Sequence, residues 1–369
     1  MSYLPVMAKR FYCVSPTFFS LTGSVLRFVS SNEGGLLMRF FLKRTLLLIA
    51  TLWVAVTLNF LIPRLMPGNP GQAMIAKFTG EGHPLNPAAL HSIDIMLGIS
   101  HASLLTQYWN YLGEVVHLNF GMSFSYFPYT VAQLIERALP WTLGLVGIAT
   151  IISFALGTAL GVIAAWGRNT TTDGLLTTIA AFLNTFPYFW FALVAVYIMG
   201  FILHWFPLSG GYTPGATPVF SLGFITDVIR HGVLPALTIV VSSVGGWLIG
   251  MRNNMINTLG EDYVLLAQAK GLKSRWIATM YAAHNAILPN ITGFGMALGF
   301  VVAGSLLTEV VFGYPGMGNL LYNAVINEDY PLMQGIFLVI VTCVVVANFI
   351  VDLLYVLIDP RVRYGEERD

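Results

Sequence analysis

The residues between Gly260 and Trp276 (Gly-Glu-Asp-Tyr-Val-Leu-Leu-Ala-Gln-Ala-Lys-Gly-Leu-Lys-Ser-Arg-Trp) form a short charged loop that is too greasy to be free in water. Asp262 can cap a short helix, and Gly271 is placed to end it in a left-handed C-cap. Ser274 can start a second helix running towards Pro289. Val264, Leu265, Leu266, Ala267, Leu272, Trp276 and Ile277 give this pair an apolar face. Such a face needs a bilayer surface, a protein groove, or the ends of the chain's own helices to cover it. The chemistry on offer is recognition, not bond-breaking.

Other chemistry-bearing residues are sparse. Glu309 and Asp352 stand at or inside apolar stretches, and an intramembrane carboxylate is a candidate for a gate, a substrate path or a proton relay. Both lie near the ends of their stretches, where water is available. Asn184, Thr185, Pro187 and Tyr188 cluster in the middle of another stretch. A proline there frees a backbone carbonyl, so Asn184 and Pro187 are candidates for a polar path; bonding within a helix bundle is the alternative. His204, His231 and His284 are isolated along the chain and read as interfacial. No GxxxxGK[ST] phosphate loop, HExxH or CxxC spacing occurs, and Cys13 and Cys343 form no disulfide framework. No cofactor or metal is expected, and the chain is not expected to be an enzyme.

The elements that position these residues follow from composition. Of 369 residues, 56% are hydrophobic and 9% charged. So few charges cannot cover so apolar a chain, so lipid must solvate much of its surface. The net charge of +1 leaves no footprint for nucleic acid. A helix needs about 20 apolar residues to cross a bilayer. Six uncharged stretches come close to this or exceed it: 45–62, 141–166, 174–205, 233–251, 286–308 and 331–351. The third can be two short spans or one kinked at Pro187. Crossing once, it puts both termini in the cytoplasm with 14 of the 18 Lys and Arg on that side, as the positive-inside rule asks. Splitting it would put Arg252, Lys270, Lys273 and Arg275 outside. Six spans is therefore the expectation. The loop at 63–139 is then extracytoplasmic, turning at Pro67-Gly68-Asn69-Pro70 and amphipathic from Tyr108 to Val116. Glycines four apart, Gly157/Gly161, Gly246/Gly250 and Gly295/Gly299, predict close helix packing. Met38 is a natural start for a chain whose first span begins at Thr45, which leaves residues 1–37 as a dispensable extension. Segment 38–130 holds the first span and the extracytoplasmic stretch, 131–358 the remaining bundle and 359–369 a cytoplasmic tail.

Several ordered motifs resemble one family. They are Tyr-Val-x-x-Ala-x-Ala-Lys-Gly at Tyr263 to Gly271, Asn285-Ala-Ile-Leu-Pro289, and the Phe312, Pro315, Gly316, Gly318 turn. Asp329-Tyr-Pro331, Gln334-Gly335, the Asp352 to Tyr355 run, Asp359 to Arg361 and Gln107 to Gly113 also match. Over residues 38–363 the chain resembles permease subunits of ATP-binding-cassette importers, in the dipeptide, oligopeptide and nickel group. The resemblance implies an all-α, six-helix type I importer permease in a bacterial or archaeal cytoplasmic membrane. It implies a second homologous permease, two cytoplasmic ATPase subunits and an extracytoplasmic solute-binding protein as partners. It makes Tyr263, Ala267, Ala269, Lys270, Gly271, Leu272 and Pro289 the loop that couples to the ATPase. Leu265 and Leu266 replace the Glu-Ala of the broader importer pattern, a departure that resembles the peptide group. Residues 1–37 have no counterpart in the resemblance. An ATP-independent carrier or channel is the alternative; it would need a mid-membrane coupling-ion site, which the sequence does not offer.

Overall fold

A computed structural model describes residues 33–65, 103–219 and 221–358, with side chains from 41 to 62 in the first segment and to 353 in the last. Residues 1–32 of the expected extension, the Pro67-Gly68-Asn69-Pro70 turn and the 359–369 tail lie outside the described residues. What is described is helical apart from loops and one isolated bridge between Met122 and Thr130.

In chain order the helices are α1 (Glu33–Leu65), α2 (Leu104–Val116), α3 (Val131–Trp166), α4 (Thr171–Thr185) and α5 (Tyr188–Ile202). There follow α6 (Leu222–Leu259), α7 (Asp262–Ala269), α8 (Ser274–Ala286) and α9 (Leu288–Ala303). Last come α10 (Leu306–Val311), α11 (Met317–Ile326) and α12 (Tyr330–Ile358). Four of these are long and apolar enough to cross a membrane singly: α1, α3, α6 and α12. The pairs α4–α5 and α8–α9 each qualify as one bent span, which completes six.

The bends have local causes. Phe186, ahead of Pro187, takes the extended backbone (φ −86°, ψ 136°) that proline imposes on its predecessor, and α4 meets α5 at 89°. Pro140 inside α3 has no N–H to donate to the turn before it, and a π-helical turn follows at Leu143–Gly147. Similar π-helical stretches lie at Val196–Ile202 in α5 and Ile277–Ala283 in α8.

Small residues set the packing. A Cβ on Gly157 would meet the Val244 carbonyl at 2.6 Å, and one on Gly161 the Leu248 carbonyl at 2.6 Å. Only glycine lets α3 lie so close to α6. Gly295 and Gly299 do the same for α9 against Val351 and Ala347 of α12, at 2.5 and 2.7 Å. In the third expected pair Gly250 does have a close neighbour, Asn290 Oδ1 of α9 at 3.3 Å from an added Cβ, and Gly246 is corrected. A Cβ on Gly246 would meet nothing within 4 Å, whereas one on neighbouring Gly245 would meet the Ala180 carbonyl of α4 at 2.6 Å. Adjacent helical residues point about 100° apart, and α4 docks on the Gly245 side.

Three apolar clusters fill the bundle. At one end, Ala165, Met251, Met255, Ala278, Ala282 and Ala286 join α3, α6 and α8. Midway, Leu145, Val146, Ala192, Leu234, Val240 and Phe312 gather around α6. At the other end, Val131, Leu134, Met317, Leu321, Leu332 and Ile336 pack α3, α11 and α12 together. Helix α1 stands at the edge, tied to α12 by Arg44–Asp352 (2.7 Å) near one end and by reciprocal Asn59–Gln334 bonds (2.9 and 3.0 Å) near the other.

Candidate functional site

Helix α7 packs on α6 and α8 at one end of the bundle, and backbone bonds close its C-terminus. The Gly271 N–H donates to the Gln268 carbonyl (2.9 Å) and the Leu272 N–H to the Ala267 carbonyl (3.4 Å), which closes a Schellman cap. Gly271 sits at φ +71°, where a side chain is strained and glycine is not. Leu272 folds back beside Ala267, the hydrophobic contact that accompanies such caps. At the N-terminus the expectation needs correcting: Glu261 occupies the cap position without a side-chain bond, and Asp262 is the first helical residue. Asp262 still places negative charge in the first turn, where the helix dipole favours it.

The helix divides its residues cleanly. Val264 and Ala267 are buried against Ile277, Leu259, Leu272 and Tyr281. Tyr263, Leu265, Leu266, Ala269 and Lys270 are exposed, with Leu266 at 54%. Ala267 therefore fixes the loop to its own bundle, while Tyr263, Leu265, Leu266, Ala269 and Lys270 form the face offered outward. Trp276 at the start of α8 extends that face, 53% exposed. Pro289 stands in the first turn of α9, just past the 51° bend.

Beneath the loop, Arg252 of α6 grips Asp173 of α4 with two parallel bonds, Nε to Oδ1 at 2.6 Å and a terminal guanidinium nitrogen to Oδ2 at 2.8 Å. Asp173 is buried and also accepts the Asn169 N–H at 3.2 Å. Sequence reading missed this clamp, although opposite charges bordering two apolar stretches at their shared end were a usable signal.

At the far end Glu309 is fully buried. Its Oε1 accepts from the Thr142 hydroxyl (2.9 Å), and its Oε2 accepts from the N–H groups of Gly318 (2.7 Å) and Asn319 (3.3 Å). Thr142 in turn accepts the Met317 N–H at 2.7 Å. The carboxylate and the hydroxyl together satisfy three donors that α11 leaves open at its N-terminus. A Cβ on Gly316 would collide with Glu309 Oε2 and Thr142 Oγ1, and one on Gly304 (φ +74°) would meet Glu309 Oε1 at 2.8 Å. The glycines of the Phe312-to-Gly318 turn thus let the chain wrap a buried carboxylate. Glu309 and Tyr314 lie past Ala303, where the fifth span ends. Burial pushes the Glu309 carboxyl above its usual range against those donors, and raises the Tyr314 phenol to about 12. In this conformation Glu309 lines no open path.

Asn184, Thr185, Pro187 and Tyr188 are all exposed at the α4–α5 break, some 22 Å along α4 by the rise of a helix. Asp352 is occupied by Arg44. His204 and His231 share one cavity of about 310 Å³ with Thr213, Asp227 and Arg230. There Asp227 accepts from the Thr213 N–H (2.7 Å) and hydroxyl (2.8 Å), and His231 Nδ1 lies 3.4 Å from it. With the carboxylate in the middle, the imidazole cannot take the threonine's proton, so the trio anchors a loop.

Residues 157–364 match the model of the family described as binding-protein-dependent transport system inner membrane component. A putative peptide permease protein of Brucella ovis is 35% identical over 327 residues, 89% of this chain and 99% of its own. The oligopeptide transport system permease protein of Escherichia coli is 32% identical over 328 residues, all of its length. That of Haemophilus influenzae is 33% identical over 329 residues. The chain belongs to the binding-protein-dependent inner membrane permease family. Of the motifs behind the resemblance, the structure gives several a physical use. In this permease Asp329 caps α12 by accepting the Leu332 N–H (3.2 Å) and holds the Ser125 N–H (2.9 Å). Gln334 and Gly335 join α1 to α12 and admit Val131.

Proposed function

We propose that this permease forms half of the translocation pathway of an ATP-driven importer, pairing with a second homologous permease. Two cytoplasmic ATPase subunits bind below, and an extracytoplasmic solute-binding protein delivers cargo from the other side. ATP hydrolysis belongs to the separate ATPase subunits. The cargo is peptides, in keeping with the relatives' names. Both termini and the 260–276 loop face the cytoplasm, the side favoured by the Lys and Arg distribution. Residues 1–37 form an extension ahead of the permease proper, a reading supported by relatives whose whole length aligns to 328–329 residues of this chain.

The observation that carries the proposal is the two-sided α7. Val264 and Ala267 weld it to α6 and α8, while Tyr263, Leu265, Leu266, Ala269 and Lys270 stand outward, fitted to an ATPase groove. A push on the outward face reaches the bundle through Gly271, Leu272 and the bend before Pro289. The exposed polar break at Asn184 and Pro187 lines the pathway or meets the second permease, and Glu309 holds the far gate in place from behind. The test is site-directed cross-linking of Leu266→Cys in the assembled transporter, with Val264→Cys as control. Cross-links from position 266 to an ATPase subunit, and none from 264, are expected. Cross-links from neither, with peptide uptake persisting without ATPase subunits, would sink the proposal.

A further inference from the structure

Helix α2 carries three different faces. Tyr108 packs edge-to-face and Tyr111 at a tilt against Phe60 of α1, at 5.2 and 5.4 Å between ring centres. Their hydroxyls meet Thr57 Oγ1 (2.7 Å) and the Asn59 amide (3.1 Å). Those partners sit in the last turns of the first span, which runs Phe41–Ile62, so α2 is moored at the span's end. Around the axis from the tyrosines come Leu105, Trp109, Leu112 and Val116, at spacings of four, three and four. Three of them are strongly exposed: Leu105 67%, Trp109 64% and Val116 79%. The remaining sector carries Thr106, Asn110, Gly113 and Glu114.

From this arrangement we infer that α2 lies in the membrane–water interface as an in-plane anchor, its Leu105–Trp109–Leu112–Val116 face among lipid headgroups and upper acyl chains. Its 13 residues span about 20 Å, too short to cross a bilayer and long enough to lie along it. The apolar face continues a surface that already belongs to lipid. Leu58, Leu61 and Ile62 of α1, beside the mooring residue Phe60, are 50%, 40% and 56% exposed on a membrane-spanning helix. A tryptophan at this level suits the headgroup region, where an apolar ring and a polar N–H are both accommodated. The polar sector opposite then faces water. An anchor of this kind fixes the height and rotation of α1, which the bundle grips through α12. The inference rests on α1 being a membrane span, not on which side α2 faces.

The experiment is power-saturation electron paramagnetic resonance on the complete transporter in lipid nanodiscs, with Cys13 and Cys343 replaced by Ser. A nitroxide is placed singly at Leu105→Cys, Trp109→Cys, Asn110→Cys or Glu114→Cys. Oxygen should dominate relaxation at 105 and 109, placing them about 5–10 Å into the interface. A water-soluble nickel chelate should dominate at 110 and 114. Water-reagent dominance at all four positions would overturn the inference. So would protection of 105 and 109 from both reagents, which means that residues 66–102, a second permease or a binding protein covers that face. Quenching by brominated lipid of the fluorescence lost in Trp109→Phe reads the unlabelled protein, and absence of that quenching also overturns it. A reversed topology leaves these depths unchanged, so failure of the proposed orientation is distinguishable from failure of the anchor.

Discussion

Substituting Gly271 separates backbone strain from side-chain size, because the structure gives the residue the first and spares it the second. At φ +71° an added Cβ would meet nothing within 4 Å, so a larger residue costs only what the left-handed backbone costs. For alanine that is about 1–2 kcal/mol, less for asparagine, and more for a β-branched residue. A loss of that size lowers the ratio of capped to unwound α7 about 5–30-fold. The Schellman bonds from Gly271 and Leu272 would open first, and Leu272 would leave Ala267. The assay is a reconstituted transporter in liposomes, with cargo-stimulated ATP hydrolysis and peptide uptake followed together. Peptide moved per ATP should fall in the order Gly, Asn, Ala, Val, with ATPase turnover losing its response to cargo. If alanine matches glycine, or if the effect tracks side-chain volume with asparagine worse than alanine, backbone conformation is not what matters at this position.

Three further outcomes follow from the packing. Removing either Asp173 or Arg252 as alanine should cost about 2 kcal/mol, below the ~3–5 of a fully buried pair because Arg252 keeps 23% of its side chain in solvent. The double variant should cost less than the two single losses added, read from thermal unfolding midpoints of the purified assembly. Glu309→Gln should destabilise by about 1.5–3 kcal/mol through one lost charge-assisted bond, and Glu309→Ala by more, since it strands three buried donors; the same melts rank them. Gly161→Leu should abolish a stable assembly because α6 backbone occupies the space, whereas Gly246→Ala should melt like wild type. Size-exclusion profiles after extraction check the first, and the same melts check the second.

The parts of this fold legible in the sequence are those decided within a few residues. A proline inside an apolar run announces a bend, and Pro187 delivers one of 89°. A glycine just past a short run of helix formers announces a C-cap, as Gly271 does. Glycines four apart announce a close helix neighbour, and Gly157 with Gly161 has one. What was not legible depends on which element arrives from elsewhere. Gly245 and Gly246 are equivalent in sequence, and only the arrival of α4 makes the first indispensable. Glu309 reads as a lone carboxylate at a span's end. It becomes a cap because α3 delivers Thr142 and the Phe312-to-Gly318 turn brings up the three N–H groups at the start of α11. The glycines of that turn were visible as a pattern, but the carboxylate they make room for was not.

Helix α6 connects the two ends of the molecule. Its 38 residues run about 57 Å, more than a bilayer's hydrocarbon thickness. Near Leu259 it packs on α7 and α8 and holds α4 through Arg252. Nearer Leu222, its Leu234, Ile239 and Val240 pack with Phe312 and Tyr314, the residues flanking the turn that caps on Glu309. Pro235 lies on the Leu222 side of Ile239 and Val240, where it leaves one backbone carbonyl of α6 without its usual donor. Under the proposed coupling, a displacement of α7 enters α6 near Leu259 and meets Ile239 and Val240 before it meets the proline, so it reaches the residues beside the Glu309 cage through unbroken helix. The cage itself is held by four hydrogen bonds. Pro235→Ala, which restores the missing N–H, should therefore leave both peptide uptake and basal ATP hydrolysis unchanged. Lowered uptake by that variant would mean that α6 must flex at the proline for transport.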